Sequence, residues 1–512
     1  MPVDGARHPA IKVEFYMLPQ RQQLRESPAA THRLIVRQYA RAQCDLNHNT
    51  WATRLARIHC TMEKFGEQSA HSLVGNGRLI THDDRQPFLD NGCVAIRDGL
   101  IAAVGPTAQL QADYPGAQFI DARGRVIMPG LINTHTHLYS AFARGMGLKD
   151  DAPDNFSQIL ERLWWRLDKA LTLDDVYWSA MVGMIASIRN GVTTIFDHHA
   201  SPGAVPSSLS RIAKAARQTG LRSCLCYEVS DRDGAEVASQ GIEENRTFLQ
   251  HCKDAGDDRL RGLFGMHASF TLSDETLAQC CRVAADFGAG FHVHTAEAAS
   301  DAESCRREHG KSIVQRWAHF GILKATTLLA HCIHIDERDI DELSATGTNV
   351  IHNPQSNMGN AVGCAPVLEM LRHGVHVGLG TDGYTPDMFE SMKAANLLQK
   401  HHAGDPRVAW AEPPQMLFHE NASIATECFG RPVGKLVCGA HADIILVNYD
   451  PPTPMNAANL NGHIHFGFTG GAVETVLIGG KIVMDSRQLL DLDEQEVMAK
   501  SRAAAAEMWK RF

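Results

Sequence analysis

The sequence feature that most constrains the fold is a short apolar run that ends in two histidines one residue apart. The segment Met128-Pro-Gly-Leu-Ile-Asn-Thr-His-Thr-His137 places His135 and His137 at positions i and i+2. On a β-strand, residues two apart point to the same face, with their Cα atoms about 7 Å apart. Both imidazoles therefore project together from the end of one strand, a spacing that suits two ligands of a single metal ion such as Zn²⁺.

Eight short apolar or β-branched runs follow one another through the middle of the chain. They cover 131–135, 193–197, 222–227, 262–266, 290–293, 326–330, 348–352 and 375–381. Segments of helical period separate them; in 173–190, for example, Leu173, Val176 and Met184 fall on one helix face. Eight alternations of strand and helix predict an α/β fold of the (β/α)₈ barrel type.

A polar or ionisable side chain follows every one of these runs. In chain order these residues are His135 and His137, His198 and His199, Glu228, His267, His294, His331, Asn353 and Asp382. In a (β/α)₈ barrel the carboxyl ends of all strands meet at one rim, which carries the active site. A single histidine after a strand is more often structural than functional, but polar residues at all eight ends predict a functional site at this rim.

Strand-like patterns on both sides of the barrel predict a second, smaller domain. Residues 93–105 indicate a hairpin with Asp98-Gly99 at its turn, and residues 443–448 and 473–484 indicate further strands. We expect 71–130 and 429–490 to form one small β-sandwich domain, 131–428 the barrel, and 491–512 a C-terminal helix. Residues 1–70 show no sustained period of 2 or 3.6, so we expect a disordered or dispensable extension there.

Composition excludes several classes of function. The chain has 512 residues, 44% of them apolar and 21% charged, which is ordinary for a soluble globular enzyme. The net charge of −9 does not favour nucleic acid or an anionic membrane as a partner, and no apolar run is long enough to span a bilayer. The 13 cysteines include no CxxC pair and indicate reduced thiols in a cytoplasm. We therefore expect a cytoplasmic protein with a small-molecule partner.

Five barrel motifs resemble, in the same order, those of the amidohydrolase superfamily, in its mononuclear, cytosine-deaminase-like branch. They are 129–137, 292–297, 330–334, 352–357 and 380–383. The segments 163–168, 197–202 and 227–232 are similar, more narrowly, to the SsnA-type aminohydrolases. The resemblance covers about residues 72–490 and implies a barrel with a small β domain divided between the two ends of the chain.

The resemblance implies a site for one divalent metal ion. His135 and His137 match the ligands on the first strand, His294 matches the ligand on the fifth strand, and Asp382 matches the ligand after the eighth. Relatives with two metals need a lysine at the fourth strand, where this chain has His267. The implied ion is Zn²⁺, or Fe²⁺ as in some relatives, with one ligand position left for a water whose pKa binding lowers to around 7.

The resemblance also implies the groups that transfer protons. Glu297 matches the glutamate that protonates a ring nitrogen next to the attacked carbon. His331 matches a histidine that stabilises the attacking water, and Asp382 takes the proton of that water. Weaker matches to substrate-contacting positions are His267, Arg144, Glu228 and His198. Trp164 and Trp165 are expected to pack in the core rather than to stack on a substrate ring.

Taken together, the resemblance implies a metal-dependent hydrolase acting on non-peptide C–N bonds, by hydrolytic deamination of an amino-substituted heterocycle with release of ammonia. Two alternatives stay open within the same family: hydrolysis of a cyclic amide, as imidazolonepropionase relatives perform, and a chlorohydrolase-type reaction. A non-catalytic binding protein is a more remote alternative, because the complete ligand set is present. The sequence leaves the substrate and the oligomeric state open, although homodimers are common among relatives.

Overall fold

The computed structural model describes residues 72–512, so the extension expected at 1–70 lies outside the described residues. The strands, in chain order, are β1 (Ser72–Ile80), β2 (Phe88–Arg97), β3 (Leu100–Pro106), β4 (Gln118–Asp121), β5 (Val126–Pro129), β6 (Leu131–Thr136), β7 (Val192–His199), β8 (Arg222–Tyr227), β9 (Leu260–Gly262), β10 (Phe264–Met266), β11 (Phe291–Thr295), β12 (Leu328–His331), β13 (Asn349–His352), β14 (His376–Leu379), β15 (Ile444–Val447), β16 (Val473–Ile478), β17 (Lys481–Asp485) and β18 (Gln488–Leu489).

Helices alternate with the strands between β6 and β15. The α-helices of the described residues are α1 (Thr107–Asp113), α2 (Phe156–Ile159), α3 (Trp165–Ala170), α4 (Leu173–Arg189), α5 (Ser208–Thr219), α6 (Ala235–Ala255), α7 (Asp274–Phe287), α8 (Ala299–His309), α9 (Ile313–His319), α10 (Glu337–Thr346), α11 (Pro354–Gly359), α12 (Val367–Arg372), α13 (Met388–Ala403), α14 (Glu412–Gln415), α15 (Asn421–Phe429), α16 (Leu460–Gly467) and α17 (Glu494–Arg511). Helix α4 begins at a capping box between Thr172 and Asp175, which satisfies free backbone N–H groups at its first turn.

The strands of the central part of the chain are parallel and form a closed ring. One sheet contains β6 to β9 and another contains β10 to β14. Backbone pairing joins the two sheets at both edges, between Val229 and Met266 and between Thr136 and Asp382. The fourth strand of the ring is divided at Leu263 into β9 and β10. The predicted α/β barrel fold is confirmed, and its strands begin and end within a few residues of the predicted runs.

The other nine strands form one sheet with the order β18-β17-β16-β15-β5-β1-β2-β3, in which β4 also pairs with β1. The link between the two halves of the chain is the antiparallel pairing of β15 with β5. Side chains from distant parts of this sheet, including Val94, Ile101, Leu446 and Leu477, meet in one buried cluster. The sheet therefore curves around a common core. The domain boundaries drawn at 130 and 429 stay predictions.

A buried ion pair joins the barrel to this sheet. Arg222, the first residue of β8, donates from Nε and Nη2 to the Asp443 carboxylate at 2.9 and 3.3 Å. The same carboxylate accepts a hydrogen bond from the backbone N–H of Gly479 at 2.7 Å. Both charged side chains are almost fully buried, at 0% and 1% exposure. The pair therefore holds the amino-terminal end of a barrel strand against β16.

No helix within residues 72–512 is both long enough and apolar enough to cross a bilayer.

Candidate active site

Side chains from β6, from β11 and from the residue after Thr381 converge at the carboxyl ends of the barrel strands. Nε2 of His137 lies 3.2 Å from Nε2 of His294 and 3.0 Å from Oδ1 of Asp382. Nε2 of His135 lies 3.6 Å from the same Asp382 oxygen. The structure thus brings together the four residues that the sequence singled out as metal ligands.

Each of the three imidazoles makes a hydrogen bond at Nδ1, and its Nε2 atom faces the other proposed ligands. Nδ1 of His137 and Nδ1 of His294 each donate to a backbone carbonyl, at 2.5 and 3.1 Å. Nδ1 of His135 lies 2.8 Å from Nε2 of His292. Partners of this kind fix the tautomer and direct Nε2 towards a metal. Nε2 of His135 is buried without a hydrogen-bond partner, so three imidazole nitrogens and one carboxylate suit one divalent ion.

The backbone is strained where two of the functional side chains leave their strands. His331 has φ 76° and Asp382 has φ 54°, in the left-handed region that residues other than glycine rarely adopt. Strained positions of this kind cluster at active sites because the surrounding structure must hold them. Gly380 allows β14 to approach β6 closely, since a Cβ atom at this position would come within 2.9 Å of the His135 side chain.

A second group of polar side chains lies beside the ligand set. Nε2 of His331 lies 3.5 Å from Oε2 of Glu297 and 3.8 Å from Oδ2 of Asp382, and it has no hydrogen-bond partner. Nδ1 of His331 lies 2.9 Å from Oδ1 of Asn357, which fixes the ring. Burial raises the pKa of the Glu297 carboxyl, against the opposing effect of His331. Glu297 therefore keeps a proton to higher pH than an exposed glutamate does.

Two residues that the sequence analysis did not assign connect these carboxylates. Ser356 donates to Oδ2 of Asp382 at 2.5 Å. Asn360 donates to Ser356 at 3.2 Å and to Oε1 of Glu297 at 3.3 Å. Ser356 lies on α11, within the motif at 352–357, and Asn360 follows α11 three residues after that motif. Proximity to that motif was the one signal in the sequence that could have identified them.

The residues expected to contact the substrate are only partly brought to the site. The Glu228 carboxylate lies 3.2 Å from Nδ1 of His198 and 3.8 Å from Nε2 of His267. Glu228 and His267 line the cavity above the ligand set, whereas His198 is fully buried and does not. Arg144 is exposed and is also absent from the lining. The structure therefore places Glu228 and His267 in the lining and His198 and Arg144 outside it, and all four substrate contacts stay predictions.

The cavity extends from the ligand set to the protein surface. It contains about 730 Å³ of space free of atoms, part of it open to solvent. Its aromatic and apolar walls come from Tyr139, Phe156, Leu160, Trp164, Trp165, Phe270 and Tyr384. Trp164 packs against the main core, as expected, and both Trp164 and Trp165 also border this cavity. A flat ring with an apolar substituent suits such walls.

Comparison with known proteins identifies the family. Residues 126–483 match the model described as the amidohydrolase family, and residues 92–117 match an imidazolonepropionase-like composite domain of bacteria. The chain is 33% identical over 447 residues to a 5-methylthioadenosine/S-adenosylhomocysteine deaminase of Pelotomaculum thermopropionicum, a match that covers 86% of this chain and 100% of the relative. It is also 33% identical to a 5'-deoxyadenosine deaminase of Methanosarcina barkeri, with 86% of this chain and 99% of the relative covered.

Solved structures share the fold. The structure of an adenosine deaminase from Xanthomonas campestris with bound zinc superposes with a TM-score of 0.77 at 22% identity, covering 86% of this chain and 99% of that one. The atrazine chlorohydrolase of Arthrobacter aurescens, complexed with zinc, gives a TM-score of 0.70 at 22% identity, covering 85% and 99%. The family match spans well over half of the chain and includes the whole ligand set. The chain therefore belongs to the amidohydrolase family and is a hydrolase of C–N bonds other than peptide bonds.

Proposed function

We propose that this protein deaminates an adenosine-type nucleoside and releases ammonia. The observation that carries the proposal is the position of Glu297 beside His331 and Asp382, next to a complete set of metal ligands. Relatives that match almost their whole length are named as deaminases of 5-methylthioadenosine, S-adenosylhomocysteine and 5'-deoxyadenosine. An adenine ring carries the exocyclic amine and the adjacent ring nitrogen that such a site requires.

We assign the metal as one zinc ion, held by His135, His137, His294 and Asp382. Imidazole nitrogens and a carboxylate are ligands that zinc accepts, and a catalytic zinc keeps one position for water. The bound zinc of the adenosine deaminase and chlorohydrolase structures supports the choice over iron. When bound, the ion supplies a water whose pKa is lowered to about 7.

The proton transfers follow from the positions of three side chains. Asp382 accepts a proton from the attacking water, and His331, oriented by Asn357, holds that water. Glu297, held by Asn360, gives its proton to the ring nitrogen next to the carbon that gains the oxygen. The bond between this carbon and the amine then breaks, and the proton that Asp382 took from water leaves with ammonia. The remaining proton of the added hydroxyl returns to Glu297 as the carbonyl forms. General acid–base steps of this kind each contribute about 10²–10⁴-fold.

Hydrolysis of a cyclic amide is the second candidate. The observation that favours it is the match of residues 92–117 to an imidazolonepropionase-like composite domain. That segment spans β2, β3 and α1 and contains none of the proposed site residues. A cyclic-amide hydrolase opens a ring and releases no ammonia, so the two reactions have different products.

Ammonia release therefore tests the proposal. Zinc-loaded protein is incubated with adenosine, 5'-deoxyadenosine and 5'-methylthioadenosine, and separately with imidazolone and hydantoin rings. We expect one ammonia for each adenine nucleoside consumed, and none from Asp382→Ala protein prepared in the same way. Ring opening without ammonia, and no reaction with adenine nucleosides, would replace deamination by the second candidate.

A further inference from the structure

The cavity next to the proposed metal site is rich in carboxyl side chains. Five of them line it: Asp168, Glu228, Glu297, Asp301 and Asp382. Among the lining residues in the described part of the chain, none is lysine or arginine. A carboxylate without a lysine or arginine beside it in the lining disfavours an anionic ligand group next to it.

The Arg232 side chain contacts this lining, and its charge is paired. The Arg232 guanidinium forms an ion pair with Asp168 and a second with Asp233, whose distance is 3.2 Å. It also lies over the ring of Trp165, with 5.3 Å between the guanidinium carbon and the ring centroid. Arg232 itself is not among the residues that line the cavity, whereas Asp168 and Trp165 are. The pair thus presents a carboxylate, not a guanidinium, to a ligand.

Asp168 keeps hydrogen-bonding capacity towards the cavity. Its side chain is 2% exposed, and its Oδ1 atom is buried without a hydrogen-bond partner. A free carboxylate oxygen in such a position accepts from a neutral or cationic donor and disfavours an anion. The outer wall offers no compensating charge, since Phe270 and Tyr384 are aromatic and partly exposed, at 38% and 41%.

We propose that the Asp168–Arg232 pair determines the charge selectivity of this pocket. It turns the guanidinium away from the ligand, so the pocket admits nucleosides with an uncharged 5' substituent and rejects those with an anionic one. The inference rests on the proposed nucleoside substrate, and it adds which nucleosides enter. The metal ligands and Glu297 fix where the reacting ring lies, and the remainder of the nucleoside must therefore occupy the rest of the cavity.

Binding and turnover of two nucleosides test this selectivity in the zinc-loaded protein. 5'-Methylthioadenosine carries an uncharged substituent, and adenosine 5'-monophosphate carries an anionic one. We expect binding of the monophosphate, measured by calorimetry, to be weaker by about a hundredfold or more. Similar affinities would overturn the proposal. If the two affinities differ but neither nucleoside releases ammonia, the proposed deamination is overturned and the charge selectivity is not. The two failures are therefore distinguishable.

Two variants of opposite charge separate selectivity from damage to the fold. Asp168→Asn keeps the side-chain volume and removes one negative charge, so the monophosphate should gain about tenfold relative to 5'-methylthioadenosine. Arg232→Gln removes the cation, so the affinity for the monophosphate should not gain on the affinity for 5'-methylthioadenosine. Structural damage would change the ratio of the two nucleoside affinities in the same direction in both variants, and this outcome would contradict the proposal. An unchanged ratio in Asp168→Asn would also contradict it.

A matched control removes the acid of a surface pair. Glu243 pairs with Arg246 on α6, and both side chains are about half exposed, at 54% and 53%. Glu243→Gln makes the same change of charge as Asp168→Asn, away from the cavity lining. The ratio of the two affinities should stay at the wild-type value. A shift equal to that of Asp168→Asn would show that net charge, not the Asp168–Arg232 pair, determines selectivity.

Discussion

Nδ1 of His135 lies 2.8 Å from Nε2 of His292, and both imidazoles are buried inside the barrel. His292 and His294 both belong to β11. This strand therefore supplies one proposed ligand, His294, and the residue that contacts another proposed ligand, His135. With His135 donating from Nδ1 to Nε2 of His292, Nε2 of His135 is unprotonated and available to the metal. The support therefore comes from the barrel interior rather than from the rim.

Replacement of His292 tests this support. His292→Phe keeps an aromatic ring in the barrel but removes the partner of His135, so the affinity for zinc should fall by about 10–100-fold. Competition with a chromophoric chelator measures the change. His401→Phe, a histidine exposed on α13, serves as the control and should keep the wild-type affinity. Equal zinc affinity in both variants would mean that His135 is oriented without His292.

Metal stoichiometry tests the ligand set. Four ligands and no lysine at the fourth strand predict close to one zinc per chain, measured by elemental analysis. His294→Ala should lose most of its zinc, because removal of one of four ligands leaves an incomplete site. His334→Ala, which changes a half-buried histidine outside the set, should retain one equivalent. Two tightly held ions per chain in the wild-type protein would contradict a mononuclear site.

The buried ion pair between the barrel and the small sheet should be important for stability. Asp443→Ala leaves Arg222 charged and unpaired in the interior, which should lower the free energy of unfolding by about 3–5 kcal/mol. Urea unfolding measures the loss, with the exposed-pair variant Glu243→Ala as a control that should change little. A loss no larger than that of the control would mean that Arg222 reaches water in the variant.

The same pair predicts how stability depends on acid. Burial by itself would raise the pKa of Asp443, but Arg222 outweighs it and holds that pKa below the ordinary value. A carboxylate with a lower pKa in the folded state stabilises the fold above the unfolded pKa of about 4 and loses this contribution as the pH falls through the folded pKa. Asp443→Asn should therefore lose less stability than the wild type between pH 6 and pH 3. If urea unfolding showed the same loss of stability in both proteins over this pH range, Asp443 would not be the carboxylate with the lowered pKa.

Local patterns in the sequence account for most of the fold. The apolar runs predicted the barrel strands because strands buried on both faces are continuous in hydrophobicity. The two-residue spacing of His135 and His137 predicted their convergence because it is a property of a single strand. Local patterns did not predict the division of the fourth strand at Leu263, which depends on how the ring closes.

Contacts between distant segments account for what the sequence did not predict. Asp168 and Arg232 are 64 residues apart, and each ends a segment that resembles the SsnA-type aminohydrolases, but neither segment indicates that the two residues pair. Their pairing requires that α3 and the loop after β8 meet at the rim. Arg144 illustrates a different limit, because its position after the first barrel strand resembles that of relatives, whereas its exposure depends on the course of the loop that follows.

Glu297→Gln is the most direct test of the account, since it keeps the shape of the side chain and removes the proton that the deamination requires. Turnover of the best adenine nucleoside should fall by about 10²–10⁴-fold, with zinc content unchanged and substrate affinity close to that of the wild type. Glu303→Gln, an exposed glutamate on α8, should retain full turnover. If Glu297→Gln released ammonia at the wild-type rate with zinc bound, Glu297 would not be the proton donor and the proposed mechanism would be wrong.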